Sequence, residues 1–174
     1  ETESTGIGNL TTTLRDNSGQ SSTTHGYSSG GLVGSQSNVI QKFSFSVDSN
    51  ATDIGDLTIA VYGPAGQTST THGYSSGGHI SSNNISNVIE KFPFASDVDN
   101  TPVGDLTIVK SGAAGQSSSV SGYTSSGGTT PTVAINSIQK FPFASDGTAT
   151  EVGTLAVANT QPAGQSSTKS GYIS

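Results

Sequence analysis

Lys140-Phe141-Pro142-Phe143-Ala144-Ser145-Asp146 repeats a stretch met 49 residues earlier as Lys91-Phe92-Pro93-Phe94-Ala95-Ser96-Asp97, and 49 residues before that as Lys42-Phe43-Ser44-Phe45-Ser46-Val47-Asp48. Three further blocks keep step with it. Gly-x-Leu stands at Gly8, Gly55, Gly104 and Gly153, Gly-Gln at Gly19, Gly66, Gly115 and Gly164, and Gly-Tyr at Gly26, Gly73, Gly122 and Gly171, each with steps of 47, 49 and 49. Gly-Gly pairs at Gly30-Gly31, Gly77-Gly78 and Gly127-Gly128 close the third block. A fixed period of this length marks a repeat architecture, in which one supersecondary unit is copied and stacked. The frame anchored on the Lys-Phe block divides the chain into a partial unit 1–38, repeats 39–87 and 88–136, and a partial repeat 137–174.

Each block reads as a short strand. Residues 39–45, 88–94 and 137–143 set Ile and two Phe at close to alternating positions, the mark of a strand with one buried face. On that reading each Lys points away from its Phe and guards an exposed strand against edge-to-edge pairing. The stretches 54–59 and 103–109 are β-branched runs that follow turns rich in Asp, Asn, Thr and Pro. The Gly-Gln block opens a polar strand, and a further strand ends at the Gly-Gly pair. No segment carries an apolar stripe of helical period, so the expectation is an all-β chain of four-stranded units, each about 49 residues long. Phe43, Phe45, Phe92, Phe94, Phe141 and Phe143, with Tyr27, Tyr74, Tyr123 and Tyr172, are the expected core. Gln20, Gln67, Gln116 and Gln165 are expected to bond backbone between units.

Composition narrows the function. Hydrophobic residues are 30% of the 174 positions, charged residues 10%, and there is no Trp, Met or Cys. Nearly a third of the chain is Ser or Thr. That composition approaches low complexity, but the low charge content is not that of a disordered chain, so local pairing must supply the order. The net charge of −6 with six scattered basic residues argues against a nucleic-acid partner. The lack of cysteine removes disulfides and thiolate metal sites, and no apolar run is long enough for a helical membrane span. The sequence starts at Glu1, as a chain that is processed, excised or a piece of something longer would.

Four strands per unit with glycine punctuation is also the plan of a β-propeller blade. The Gly-Tyr-x-x-Gly-Gly strand, the apolar strand running to Asp48, Asp97 and Asp146, and the strand carrying Leu57, Leu106 or Leu155 resemble a divergent kelch-type repeat. The kelch Trp is missing, those leucines standing nearest to it, and the kelch Arg is met only by Arg15 and in kind by Lys110. The wording Lys-Phe-Pro-Phe-Ala-Ser-Asp, Val-Gly-Asp-Leu-Thr and His-Gly-Tyr-Ser-Ser-Gly-Gly is similar to repeats of virion structural proteins of aquatic bacteriophages. The resemblance implies a kelch-like propeller, partial or completed by other chains. An open stack of β-repeats is the alternative. The Lys-Phe strand occurs three times where the other blocks occur four, which leaves a single-chain ring of four units one strand short.

Chemistry is sparse. His25 and His72 sit in the same Thr-Thr-His-Gly-Tyr context and become Ser121 and Ser170 in later copies, which suits a turn and not a catalytic triad, whose members occur once per site. The acidic turns containing Asp48, Asn50 and Asp53, Asp97 and Asp99, and Asp146 place oxygen donors at spacings a calcium ion could use. Asp and Asn also close turns on their own backbone, which accounts for the same residues. Sequons at Asn9, Asn50 and Asn84 are expected by accident in such a composition. The resemblance to virion repeats, with the lack of a catalytic constellation and the incomplete unit count, implies a non-enzymatic structural component of a phage virion or similar extracellular assembly, a spike, fibre or capsid decoration without a cofactor. Its expected partners are copies of itself or other virion proteins. The alternative is a surface adhesin whose loops bind cell-surface glycans. Either reading places the protein on a virion surface or outside the cell, with no nucleic acid and no membrane insertion.

Overall fold

The computed structural model describes residues 6–130, 133–167 and 169–174. Among these residues there is no helix, and every strand pairing is antiparallel. The first unit runs β1 (Ser18–Ser21), β2 (His25–Ser29), β3 (Leu32–Val33), β4 (Ser35–Ser44) and β5 (Thr52–Val61). The second runs β6 (Ala65–Thr68), β7 (His72–Ser76), β8 (His79–Ser81), β9 (Asn84–Ile85), β10 (Val88–Pro93) and β11 (Thr101–Asp105). The third runs β12 (Ala114–Ser117), β13 (Ser121–Ser125), β14 (Gly128–Thr130), β15 (Val133–Ala134), β16 (Ser137–Pro142) and β17 (Thr150–Thr154). A last hairpin joins β18 (Gly164–Ser166) to β19 (Gly171–Ile173).

Each unit is a four-stranded meander: β1-β2-β4-β5, then β6-β7-β10-β11, then β12-β13-β16-β17, with β3 or a small hairpin set beside it. The hydrogen-bonded sheet thus opens on the Gly-Gln strand and closes on the Gly-x-Leu strand. The sequence frame 39–87 takes two strands from one sheet and two from the next. The period is the same in both frames.

Register explains the Gly-Tyr block. Gly26, Gly73 and Gly122 lie opposite Phe43, Phe92 and Phe141, and each phenyl ring occupies the space that a Cβ on its glycine would fill. The neighbouring Tyr points to the other face, where Tyr27 meets Phe92 and Phe94 of the second unit at 5.3 and 4.8 Å between ring centroids. Tyr74 meets Phe141 and Phe143 in the same way, at 5.6 and 4.8 Å. The core therefore lies between sheets. Phe92 sits among Tyr27, Ile40 and Leu57 of the unit before it, and Phe141 among Tyr74, Ile89 and Leu106.

This corrects the picture of a strand with one wet face. Ile40 and the following Gln41 are both fully buried, as are Ile89 and nearly all of Glu90, because the second sheet's third strand has a neighbouring unit on each face and the first sheet's has the second unit on one face and the segment around Thr11 on the other. Of the expected core, Tyr27, Tyr74, Phe92 and Phe141 are buried, while Phe43, Phe94, Phe143 and Tyr123 are half-buried. Phe45 (56% exposed) and Tyr172 (58%) are on the surface, since no neighbouring unit among the described residues faces the first sheet's Phe side or the last hairpin's Tyr.

The turns show where conformation decides sequence. Asp16, Gly63, Gly112 and Gln161 occupy one position in successive units, and all four have left-handed φ, from 54 to 66°. The Gly63 N–H donates to Asp16 O, Gly112 to Gly63 O and Gln161 to Gly112 O, at 2.6 to 2.8 Å. The result is a column of amide bonds running from unit to unit. At the Gly-Gly turn the left-handed pair is Gly30-Gly31 and Gly77-Gly78, but Ser126-Gly127 in the third unit, where Ser126 stands in the place of Gly77 and Gly128 in that of His79. There the Ser126 hydroxyl is held by Ile135 O and Asn159 O at 3.0 and 2.7 Å.

Candidate functional site

The most elaborated chemistry of the chain lies where one unit meets the next. At the first-strand edge, Gly66 packs so closely on Gly19 O, and Gly115 on Gly66 O, that a Cβ at either glycine would collide with backbone. Beside this contact the N–H groups of Ser21, Thr68 and Ser117 donate to the hydroxyls of Thr68, Ser117 and Ser166 in the following unit, at 3.3, 2.8 and 2.9 Å. Gln20 Nε2 donates to Tyr74 O at 2.9 Å and Gln67 Nε2 to Tyr123 O at 3.1 Å. In the first two copies each residue of the Gly-Gln-Ser/Thr block thus has its own contact with the next unit.

The sheet centre uses a different device. Gln41 Oε1 accepts both the N–H and the hydroxyl of Thr11, at 2.6 and 2.8 Å. Glu90 receives Thr58 in the same way with one oxygen each, both at 2.8 Å, and Gln139 Oε1 receives Thr107 at 2.7 and 3.0 Å. A buried polar side chain costs little when its hydrogen bonds are made, and here it joins the third strand of one unit to the fourth-strand segment before it. At the last-strand edge Ala51, Asn100 and Ala149 donate their N–H groups to Asn9 O, Asp56 O and Asp105 O, at 2.8 to 2.9 Å.

The lysines belong to this interface too. Lys42 Nζ pairs with Asp97 at 2.6 Å, and Lys91 Nζ with Asp146 at 2.7 Å, each reaching the acidic turn 55 residues on. Their expected role as outward guards is corrected: the strand is internal to its sheet, and the Lys face is turned toward the next unit. The turns read as calcium candidates carry contacts of their own. Asp97 and Asp146 take the lysines, Asn50 Oδ1 accepts the Asn9 N–H, Asp99 Oδ1 the Asp56 N–H, and Asp53 Oδ1 the Gly55 N–H, while Asp48 is exposed. Among the described residues no three His, Cys, Asp or Glu side chains gather as a metal ion would require.

The histidines are the first residues of β2, β7 and β8, and His25 and His72 are not turn residues as the sequence suggested. The Nδ1 of His25 and of His72 lies 2.9 and 2.8 Å from the hydroxyls of Thr24 and Thr71, and each ring packs beside the Tyr two residues on. Partial burial, with Lys91 nearby, holds the His72 pKa below the usual histidine value. The third, His79, stacks on Tyr62 at 4.7 Å beside an open polar groove of about 480 Å³ lined by Asp16, Ser111, Gly112 and Gln161.

Lys110 was not foreseen as a buried group. It stands where Val61 stands one unit earlier, is fully buried, and donates to Thr124 O and Ser137 O at 3.1 and 2.7 Å. Burial lowers its pKa to about 8, with Glu151 opposing. The single sequence signal was a Lys in a copy whose counterpart is apolar.

Compared with protein-family models and with curated proteins, the sequence matches none of them.

Proposed function

We propose that the chain is a non-enzymatic structural component of a virion or similar extracellular assembly, in which stacked β-units form a spike, fibre or capsid decoration. The observation that carries this reading is that the same interface is rebuilt between successive units, with nearly every distinctive side chain used in it. An enzyme singles out one constellation. Here glycines, glutamines, threonines, lysines and aspartates recur with the period and serve cohesion. The assignment to phage particles rests on the wording of the repeat.

The four-stranded meander is also what a kelch-type propeller would use. The contacts favour the open stack, because backbone approaches backbone at both the first-strand and the last-strand edges, whereas the blades of a ring splay apart at their outer edge. Mass photometry and negative-stain electron microscopy test the proposal: filaments, or decoration of a particle, support it, and free monomers at every concentration and with every particle offered would sink it.

A second reading, glycan binding at the virion or cell surface, is favoured by the groove beside the Tyr62–His79 stack, where an aromatic face adjoins carboxylate, amide and hydroxyl groups. A glycan array that is negative throughout would remove it.

A further inference from the structure

The last hairpin leaves a site that the rest of the molecule shows how to fill. Between the third sheet and β18–β19 lies an apolar groove of about 300 Å³, lined by Tyr123, Ile138, Leu155, Gly171 and Ile173 beside Gln116. Tyr123, Ile138 and Leu155 are the counterparts of Tyr27, Ile40 and Leu57, which hold Phe92, and of Tyr74, Ile89 and Leu106, which hold Phe141. Those two sets are exposed by 3% or less, whereas Tyr123, Ile138 and Leu155 are half-buried.

Three further marks agree. Gly171 corresponds to Gly26, Gly73 and Gly122, each roofed by a phenyl ring, but among the described residues β19 pairs only with β18 and no ring lies on Gly171. Lys140, unlike Lys42 and Lys91, has no carboxylate partner among the described residues. Buried Gln116 Nε2 lacks an acceptor, where Gln20 and Gln67 donate to the tyrosine carbonyl of a complete following unit.

We infer that this groove is an acceptor site for one extended strand with the chemistry of residues 137–146, namely the Lys-Phe-x-Phe strand of a further repeat unit. It would pair antiparallel with β19, laying its first Phe over Gly171 and between Tyr123, Ile138 and Leu155, and presenting its terminal Asp to Lys140. The strand's amide side chain would meet the N–H of Ala156, which stands where Thr11, Thr58 and Thr107 stand in the other units. The site extends the stack by strand addition, a mode in which main-chain bonds give affinity and side-chain pockets give selectivity. This deepens the structural reading, but it does not depend on the virion assignment, so peptide binding and particle association succeed or fail separately.

The test uses the 174-residue chain and a synthetic peptide of residues 136–146, followed by amide chemical shifts and calorimetry. The inference expects saturable one-to-one binding with shifts concentrated at Tyr123, Ile138, Leu155 and Gly171. It expects at least tenfold weaker binding for the peptide carrying Phe141→Ser, and for the intact peptide with a Gly171→Val chain. A Cβ at Gly171 approaches nothing in the free chain closer than Gln116 Cγ at 3.4 Å, and a urea midpoint equal to the parent's is required of the variant before its binding is compared. A second arm extends the chain past Ser174 with a copy of residues 126–154, which should protect the amides around Ile138 and Leu155 from hydrogen exchange. Equal binding by the Phe141→Ser peptide, or no binding at millimolar peptide together with unchanged exchange in the extended chain, overturns the inference.

Discussion

Replacing Gly115 by Ala should destabilise the chain severely, while the same change at Gly19, in the same motif, should not. Both glycines lie in the first strand of their sheets with extended backbone, so neither needs glycine for its φ. The difference is what lies above them. A Cβ on Gly115 would enter the van der Waals envelope of Gly66 O, with Gly66 C and N at 2.8 and 2.9 Å, all of them backbone and unable to swing aside. Relieving the clash means separating two sheets by several tenths of an ångström, an overpacking cost of about 1–3 kcal/mol. The separation also weakens Thr68 N–H to Ser117 Oγ and Gln67 Nε2 to Tyr123 O, each worth about 1 kcal/mol. The sum is about 3 kcal/mol. At Gly19 a Cβ meets nothing within 4 Å, and removing a strand glycine returns about 0.5 kcal/mol. With a urea m-value of about 2 kcal/mol/M, the midpoint for Gly115→Ala falls by about 1.5 M and that for Gly19→Ala holds or rises slightly. Far-UV circular dichroism with tyrosine fluorescence reads both. Equal midpoints would refute the packing argument.

Four other outcomes follow from the same geometry. Stability should rise as pH increases from about 8 to 10.5, because over that window the unfolded chain keeps a proton on Lys110 that the folded chain has released; the gain is at most about 3 kcal/mol, and Lys110→Met should flatten it in urea melts. Phe92→Ala should cost about 3–5 kcal/mol, whereas Phe45→Ala, at a ring more than half exposed, should change the melting temperature little. Gln161→Gly should stabilise by up to about 1 kcal/mol in thermal melts, since it relieves a left-handed non-glycine residue at a column position that Gly63 and Gly112 already fill. Asp146→Asn should cost less than 1 kcal/mol at low ionic strength, and the loss should vanish in 1 M salt, as for a partly exposed ion pair.

Much of the fold was legible because the period exposes it. Residues 88–93 and 137–142 are strands where the alternating apolar pattern put them, and the glycine blocks mark the turns and close approaches. The second covered face was not legible. Gln41, Glu90 and Gln139, lying between Ile and Lys, are buried, and a polar side chain facing a threonine of another unit looks in sequence like one facing solvent. The lysine pairing did leave a trace, since Lys42 with Asp97 and Lys91 with Asp146 keep one offset of 55 residues. An offset of that kind identifies a partner only when the units are known to stack. The left-handed pair at Ser126-Gly127 keeps the 49-residue step from Gly77-Gly78, and it was hidden because Ser126 replaces the first glycine while Gly128 replaces His79, so the Gly-Gly wording persists one step out of register.

The claim on which the account rests is that the units form an open stack joined at both sheet edges. Small-angle X-ray scattering on the parent chain, and on chains with one and two extra copies of residues 65–113 inserted after Ala113, measures it directly. The stack predicts a maximum dimension that grows by the same increment with each added copy. A maximum dimension that levels off as copies are added, with the profile of a closed disc, would contradict it.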